Sequence, residues 1–175
     1  MTRAFVSMGS NIDPEENIAQ ALRALSCAVH ITKLSTIYLT EPENRPDQPL
    51  YYNCVVELET TIPPIELKRR ILRPIEEALG RKRSDDKYAA RTIDVDLILY
   101  DELMMMTADF MLPDPDIVRR PFLAIPLFEL APGLVLPGSG ERIDTVATAL
   151  MHSPMKPLQD YTERLRKELL HGWKQ

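Results

Sequence analysis

The chain has few of the residues that build cross-linked or metal-clustered proteins. Its 175 residues include two cysteines, Cys27 and Cys54, without paired spacing, and three scattered histidines. These numbers exclude a disulfide framework and argue against a zinc cluster. No apolar run reaches the roughly 18 residues of a membrane-spanning helix, and the first residues resemble a strand rather than a signal peptide. The sequence therefore predicts a soluble, cytoplasmic protein.

Glycine is scarce as well, with six glycines against 15 prolines. This ratio predicts stiff loops and few positions that need a positive φ. The formal net charge of −5 argues against wholesale nucleic-acid binding but leaves a local basic patch open. Hydrophobic residues make up 45% of the chain and charged residues 27%, which is typical of a globular domain.

Hydrophobic periodicity predicts a core of six elements. The order strand, helix, strand, strand, helix, strand indicates an α+β fold with a ferredoxin-like βαββαβ core and an antiparallel sheet. The predicted elements are a strand at 4–6, a helix with Asp13 as N-cap, strands at 31–38 and 51–60, a helix from Pro63 to Gly80 kinked by Pro74, and a strand at 93–100.

Two further helices are predicted beyond this core, at 144–150 and 157–170. We therefore divide the chain into residues 1–137, which hold the core, and a helical C-terminal extension at 138–175 packed on the same domain. Such a fold hosts many functions, so function has to be inferred from the site residues.

Asp94 and Asp96 are two residues apart on the last predicted strand, which places both carboxylates on one face. The opposite face is predicted to be apolar, with Ile93, Val95, Leu97 and Leu99. Two neighbouring acids repel each other and lose hydration, which favours a cation between them. Mg²⁺ prefers oxygen ligands, and paired Mg²⁺ ions are common in phosphoryl chemistry. For the pair alone, a solvated polar face on an edge strand remains an alternative.

A basic loop comes directly before these acids and carries Arg81, Lys82, Arg83, Lys87 and Arg91. Arginine binds phosphate oxygens in a bidentate manner, and such a loop can close over a triphosphate. A polyphosphate that bridges the cations and the metal-binding acids accounts for both features. For the basic run alone, charges that simply face water remain the alternative. The Walker A motif, the kinase-type glycine-rich loop and the Ser-His-Asp order are absent from the sequence.

Tyr51 and Asn53 form a third candidate group, on the strand face opposite the predicted core side. An aromatic ring and an amide suit a flat heterocycle, because one stacks and the other pairs with the ring edge. Phe122, just after Arg119 and Arg120, is placed to supply a second wall. Core packing remains the alternative for each of these residues taken alone.

Six stretches of the sequence form a pattern that points to one family. The stretches are Ser7-Met-Gly-Ser-Asn11, Tyr38-Leu-Thr-Glu-Pro42, Gln48-Pro49 with Tyr51 and Asn53, Ile75-Glu-Glu-Ala-Leu-Gly-Arg81, Arg91-Thr-Ile-Asp-Val-Asp96 and Arg120-Pro-Phe122. Over roughly residues 3–137 they closely resemble 6-hydroxymethyl-7,8-dihydropterin pyrophosphokinase of folate biosynthesis. This resemblance implies transfer of the β,γ-pyrophosphoryl group of ATP to the pterin hydroxymethyl group, with release of AMP.

The resemblance also implies residue roles and partners. Asp94 and Asp96 match the ligands of two Mg²⁺ ions, and Arg81 and Arg91 match catalytic loop arginines. The pterin-binding positions are Thr40, Tyr51, Asn53 and Phe122. The ATP-binding positions are Glu76, Arg83, Tyr88 and Arg120. We expect a monomer that binds ATP and the pterin, without a nucleic-acid or membrane partner.

The chain departs from the family pattern at several positions on the ATP side, where Arg73 and Pro74 are also unexpected. Tyr88 stands where an indole is common, and Ala89-Ala90 replaces the usual Gly-Pro, so loop closure is expected to differ. Asp114 replaces a histidine that contacts the nucleotide. Because Pro115 follows it, we interpret Asp114 as an N-cap whose carboxylate turns back onto backbone N–H groups.

Two other functions remain open on the sequence. A ferredoxin-like RNA-binding module would use Tyr51 and Phe122 as stacking platforms, although Asp94 and Asp96 would repel its phosphates. A catalytically inactive relative is the second alternative, and Asp114 motivates it.

Overall fold

An antiparallel sheet forms the centre of the fold in the computed structural model, which describes residues 1–43, 45–81 and 89–171. The strands within these residues are β1 (Thr2–Ser10), β2 (His30–Leu34), β3 (Tyr38–Thr40), β4 (Tyr51–Thr60), β5 (Asp94–Tyr100), β6 (Met105–Met106), β7 (Met111–Leu112) and β8 (Met155–Pro157). The main sheet has the order β5-β1-β4-β3-β8, with β2 also beside β4, and β6 and β7 form a separate hairpin.

Helices cover both faces of the main sheet. The α-helices are α1 (Pro14–Ala28), α2 (Pro64–Glu66), α3 (Arg73–Ala78), α4 (Pro121–Leu130), α5 (Ile143–Leu150) and α6 (Gln159–His171). A π-helix (Leu67–Leu72) joins α2 to α3, and a 3₁₀-helix (Pro115–Val118) precedes α4. In the part of the chain that the structure describes, no helix is long and apolar enough to cross a membrane.

The predicted α+β, ferredoxin-like fold is confirmed. β1 pairs antiparallel with β4 along its whole length, from Thr2 opposite Thr60 to Ser10 opposite Tyr52, and with β5 on its other side. The prediction of one strand at 31–38 is wrong in detail. The chain forms β2 and β3 there, separated by residues 35–37. Within this break the Ser35 N–H donates to the Val55 carbonyl at 3.0 Å.

Alternation along the central strands produces two hydrophobic cores. Val6 and Val56 belong to the core that includes α1 and the π-helix, while Phe5 and Val55 belong to the core under α4 and α5. All four of these side chains are almost fully buried. Tyr51, Asn53, Asp94 and Asp96 lie on the same sheet face as the second core.

The predicted apolar face of Ile93, Val95, Leu97 and Leu99 is wrong at Leu99. Pairing with β1 passes from Val6–Leu97 to Phe5–Leu99, so that Ile98 is an extra residue of a β-bulge. As a result, Leu97 faces the first core whereas Ile98 and Leu99 both face the second. The bulge lies beyond Asp94 and Asp96 and leaves their common face unchanged.

Helix α1 begins at the predicted residue, but its N-cap differs from a standard one. Asp13 has a left-handed backbone (φ 41°) and its side chain makes no capping hydrogen bond. Its carbonyl instead accepts the Asn17 N–H at 3.0 Å. The position of the helix start is therefore confirmed, although the carboxylate does not cap it.

The predicted disturbance at Pro74 takes the form of the π-helix. The Arg73 N–H donates to the Lys68 carbonyl, five residues back, just before Pro74 interrupts the helical pattern. The end at Gly80 is as predicted, with φ 75° at that glycine and a hydrogen bond of 2.9 Å from Arg81 N–H to the Glu76 carbonyl. This arrangement is a Schellman-type helix end.

The C-terminal residues pack on the same sheet, but they are not entirely helical. β8 is an edge strand that the sequence did not predict, and it pairs with β3. Helix α6 begins at Gln159 rather than at 157. Leu165 of α6 is buried in the first core, and the Thr162 hydroxyl accepts the Ile37 N–H at 2.9 Å. The division of the chain near residue 137 stays a prediction.

Candidate active site

A cavity of about 300 Å³ lies over the sheet face formed by β1, β4 and β5. It brings together eight residues predicted from the sequence: Thr40, Tyr51, Asn53, Arg91, Asp94, Asp96, Arg120 and Phe122. Arg81 reaches the site through an ion pair with Asp94. Glu76 does not line the cavity, and Arg83 and Tyr88 lie outside the described residues.

The acid pair is held on one face of β5, opposite Gly9 and Ser7 of β1. Both carboxylates pair with cations of the protein. Arg81 Nη2 lies 3.2 Å from Asp94 Oδ1, and Arg91 also bonds Asp94. Such pairing offsets the repulsion between neighbouring carboxylates.

Lys68 is the cation that pairs with Asp96, with 2.9 Å between its Nζ and Oδ1 of the carboxylate. The sequence did not predict this contact. Lys68 lies 28 residues before Asp96, on the π-helix rather than in the basic loop. A helical wheel drawn with regular α-helical spacing does not reproduce the side-chain directions of a π-helix.

Glu76 lies beneath the acid pair rather than in the cavity. Its side chain is buried, and its carboxylate accepts the N–H of Val95, the residue between the two aspartates, at 2.9 Å. Burial raises the pKa of Glu76 to about 7, and the charges of Asp94 and Asp96 act in the same direction. Glu76 therefore fixes the backbone of the acid pair, and its contact with the nucleotide stays a prediction.

The predicted pterin side is built around the buried Asn53 amide. Asn53 Nδ2 donates to the Thr40 hydroxyl at 2.7 Å, and both side chains are less than a tenth exposed. Tyr51 is half-buried two residues before Asn53, and burial raises the pKa of its hydroxyl. Phe122 lines the same cavity from the start of α4. The structure thus brings an amide and two aromatic rings to one cavity.

Arg120 enters the cavity next to Phe122, with its guanidinium carbon 5.6 Å from the ring centre. Its Nε donates to Asp116 at 2.8 Å, and it also pairs with Glu43. A phosphate at this guanidinium would compete with both carboxylates for the same N–H groups.

Asp114 caps the 3₁₀-helix, as the sequence interpretation predicted. Its Oδ1 accepts the Asp116 N–H at 2.8 Å, and Pro115 is the first residue of the helix. Asp114 also lines the cavity, and burial raises the pKa of its carboxyl.

Asn11 connects two loops around the cavity, a role that the sequence interpretation missed. Its Oδ1 accepts the Arg91 N–H at 2.7 Å. Its Nδ2 donates to Gln48 Oε1 and to the Pro49 carbonyl, each at 3.3 Å. The Gly9-Ser-Asn11 turn is recognisable in the sequence, but the sequence does not reveal which residues Asn11 contacts.

Comparison with solved structures supports the fold. Chains of Plasmodium falciparum HPPK-DHPS superpose with TM-scores of 0.66 (wild type with SDX-DHP) and 0.70 (wild type with STZ-DHP), each at 11% identity. They cover 87% and 86% of this chain, which spans 44% and 43% of theirs. At this identity the likeness shows the fold alone.

Sequence comparison is more specific, because the family model for 7,8-dihydro-6-hydroxymethylpterin-pyrophosphokinase (HPPK) matches residues 5–132. A 2-amino-4-hydroxy-6-hydroxymethyldihydropteridine pyrophosphokinase of Haemophilus influenzae is 36% identical over 142 residues, 79% of this chain and 88% of the relative. One of Bacillus subtilis is 36% identical over 130 residues, 73% of this chain and 77% of the relative. The folic acid synthesis protein fol1 of Schizosaccharomyces pombe is 32% identical over 97% of this chain, which spans 23% of that protein.

The fold and the cavity define an α+β domain with an acid pair, arginines and an aromatic pocket in one site. The chain belongs to the 7,8-dihydro-6-hydroxymethylpterin-pyrophosphokinase family. This membership gives no support to the RNA-binding alternative.

Proposed function

We propose that this chain transfers the β,γ-pyrophosphoryl group of ATP to the hydroxymethyl group of 6-hydroxymethyl-7,8-dihydropterin and releases AMP. The observation that carries the proposal is the cavity in which Asp94, Asp96 and Arg91 meet Tyr51 and Asn53, in a chain of this family. Both substrates are small molecules. The monomeric state and the cytoplasmic location stay predictions from the sequence.

The acid pair fits Mg²⁺. Among residues 1–43, 45–81 and 89–171, no group of three or more His, Cys, Asp or Glu side chains is arranged to hold a metal ion. Mg²⁺ is usually bound by one or two carboxylates together with substrate phosphates and water, so Asp94 and Asp96 are a suitable protein contribution. When bound, the metal neutralises the charge of the triphosphate. We propose two Mg²⁺ ions, which Asp94 and Asp96 would hold.

The arginines would act on the polyphosphate. Arg81 and Arg91 pair with Asp94, and a nucleotide that arrives with its own cations frees them to contact phosphate oxygens. Arg120 is held nearby by Asp116 and Glu43 and provides a third guanidinium. Guanidinium groups stabilise the charge that develops on the transferred group. Arg83 and Tyr88 are proposed as further ATP contacts, as is Glu76.

The pterin would lie between Tyr51 and Phe122, with the Asn53 amide and the Thr40 segment at its edge. In this orientation the pterin hydroxyl oxygen forms a bond to the β-phosphorus. The bond from that phosphorus to the α,β-bridging oxygen breaks, AMP leaves with this oxygen, and the hydroxyl proton passes to solvent. The protein contributes mainly positioning and charge stabilisation, as is usual for phosphoryl transfer.

The acid pair is tested by Asp94→Asn and Asp96→Asn, assayed for pterin-dependent consumption of ATP over a range of Mg²⁺ concentrations. We expect each variant to lose on the order of 100-fold in turnover, as is typical when a key electrostatic group is removed. Asp144→Asn is the matched control, because Asp144 of α5 pairs with Arg142 and does not line the cavity. Near-normal rates for either site variant at ordinary Mg²⁺ concentrations would contradict the metal assignment.

A further inference from the structure

Lys68 is a largely buried cation in the acid site, with a side chain that is 13% exposed. Its Nζ donates to Asp96 and lies 5.1 Å from the ring centre of Phe110, just before β7. Removing an ammonium group from water is costly unless it is paired. Asp96 therefore supplies the counter-charge that allows Lys68 to lie largely buried in the acid site.

Lys68 lies in the π-helix. π-Helical turns are rare and frequently occur at functional sites. The arginines near Lys68 pair with other carboxylates. Arg70 pairs with Glu66, whereas Arg69 and Arg73 pair with Asp109. Lys68 differs from them in reaching a residue of the cavity wall.

The two aspartates have different kinds of counter-ion. Asp94 pairs with Arg81 and Arg91, whose planar guanidinium groups suit carboxylate and phosphate alike. Asp96 pairs with a lysine, which is a compact charge on a flexible four-carbon stem and can move away by rotating that stem. Lys68 is thus suited to leave the carboxylate when a stronger cation arrives.

We propose that Lys68 is a displaceable counter-ion of Asp96, which neutralises this carboxylate until a divalent cation takes its place. The proposal rests on the proposed function, in which Asp96 is a metal ligand. An ammonium 2.9 Å from Asp96 Oδ1 and a metal ion on the same carboxylate repel each other, so the two compete. Lys68 is a positioning residue, because it keeps Asp96 in place without touching substrate.

Binding of Mn²⁺ without nucleotide, measured from the electron paramagnetic resonance signal of the free ion, tests this competition. We expect Lys68→Met to bind Mn²⁺ at least threefold more tightly than the wild type, and Lys68→Arg to bind it no more tightly. Lys33→Met is the matched control, because it removes a lysine paired with Glu57 on another part of the sheet. We expect its Mn²⁺ affinity to equal that of the wild type.

An unchanged or weaker Mn²⁺ affinity of Lys68→Met would overturn the proposal. If Lys68→Met does not fold, Lys68→Gln takes its place, because glutamine keeps a hydrogen-bond donor without the charge. We expect the same increase in Mn²⁺ affinity for Lys68→Gln. Asp96→Asn separates the two possible failures. If it weakens Mn²⁺ binding while removal of the Lys68 charge changes nothing, the Lys68 proposal alone is wrong. If it leaves Mn²⁺ binding unchanged, the metal assignment fails and the Lys68 proposal with it.

Discussion

Gly9 and Asn53 are directly paired on neighbouring strands, and no side chain fits between them. A Cβ atom built on Gly9 would lie 2.6 Å from Asn53 Oδ1, well inside van der Waals contact. The Asn53 amide, which we assign to the pterin edge, therefore packs directly against the Gly9 backbone. This close approach, rather than an unusual φ angle, explains why the position is a glycine.

Gly9→Ala should move the Asn53 amide away from its position against Thr40. We expect the KM for the pterin to rise at least fivefold, because a displacement of this kind costs about 1 kcal/mol or more of binding free energy. The measurement is steady-state kinetics at saturating ATP. Gly133→Ala is the control, since a Cβ atom added there would have no neighbour within 4 Å and the substitution should be silent. An unchanged KM in Gly9→Ala would contradict the role of Asn53.

Arg81 and Arg91 are expected to act on kcat more than on the affinity for ATP. Both pair with Asp94, so part of their contact with phosphate replaces an existing ion pair. Interactions gained late contribute mainly in the transition state. Arg81→Ala and Arg91→Ala should therefore lower kcat on the order of 100-fold. Variants that changed only the KM for ATP would argue against this assignment.

Asp114→Asn should leave the KM for ATP within about threefold, because asparagine caps a helix nearly as well as aspartate. The reason is the hydrogen bond of 2.8 Å from the Asp116 N–H, which needs an oxygen but no charge. A KM that fell tenfold, about 1.4 kcal/mol, would show that the carboxylate repels the nucleotide. Full activity would also remove the motive for considering an inactive relative.

Glu57 should make stability depend on pH below the neutral range. Burial alone would raise the pKa of Glu57, but hydrogen bonds from Arg3, Thr32 and Lys33 outweigh it and lower the pKa. A carboxyl whose pKa is lower in the folded state contributes stability above its unfolded pKa of about 4.3. This contribution is lost as the pH falls through the lower, folded pKa.

Urea unfolding of the wild type and Glu57→Gln measures this effect. The wild type should be more stable by roughly 1 kcal/mol at pH 7, and the difference should shrink steadily below about pH 4.3. Glu59→Gln, on the same strand, is the control for the loss of a carboxylate from β4. A difference that stayed constant down to about pH 2.5, well below the unfolded pKa, would contradict the account.

Much of the fold was predictable because local patterns and tertiary packing agree. The alternation of apolar and polar residues in 51–60 predicted β4 and its two faces. The spacing of Asp94 and Asp96 predicted that they share one face of the strand, and both line the cavity. The cap at Asp114 followed from the proline after it. In each case the information lies within a few residues of the chain.

The features that were missed depend on distant residues or on irregular backbone. Lys68 reaches Asp96 from the irregular π-helix, across 28 residues, and Asn11 meets Arg91 across 80 residues. The strand Met155–Pro157 is three residues long, contains a proline, and forms because β3 offers an edge. The β-bulge at Ile98 arises from pairing with β1 and has no local marker.

The fate of the β-phosphorus tests the central claim most directly. The protein is incubated with Mg²⁺, the hydroxymethyl-dihydropterin and ATP that carries ³²P at the β position, and the products are separated by anion-exchange chromatography. We predict that the label passes to the pterin and that one unlabelled AMP appears for each pterin consumed. Label that remained in ADP, or AMP formed equally without the pterin, would contradict pyrophosphoryl transfer by this chain.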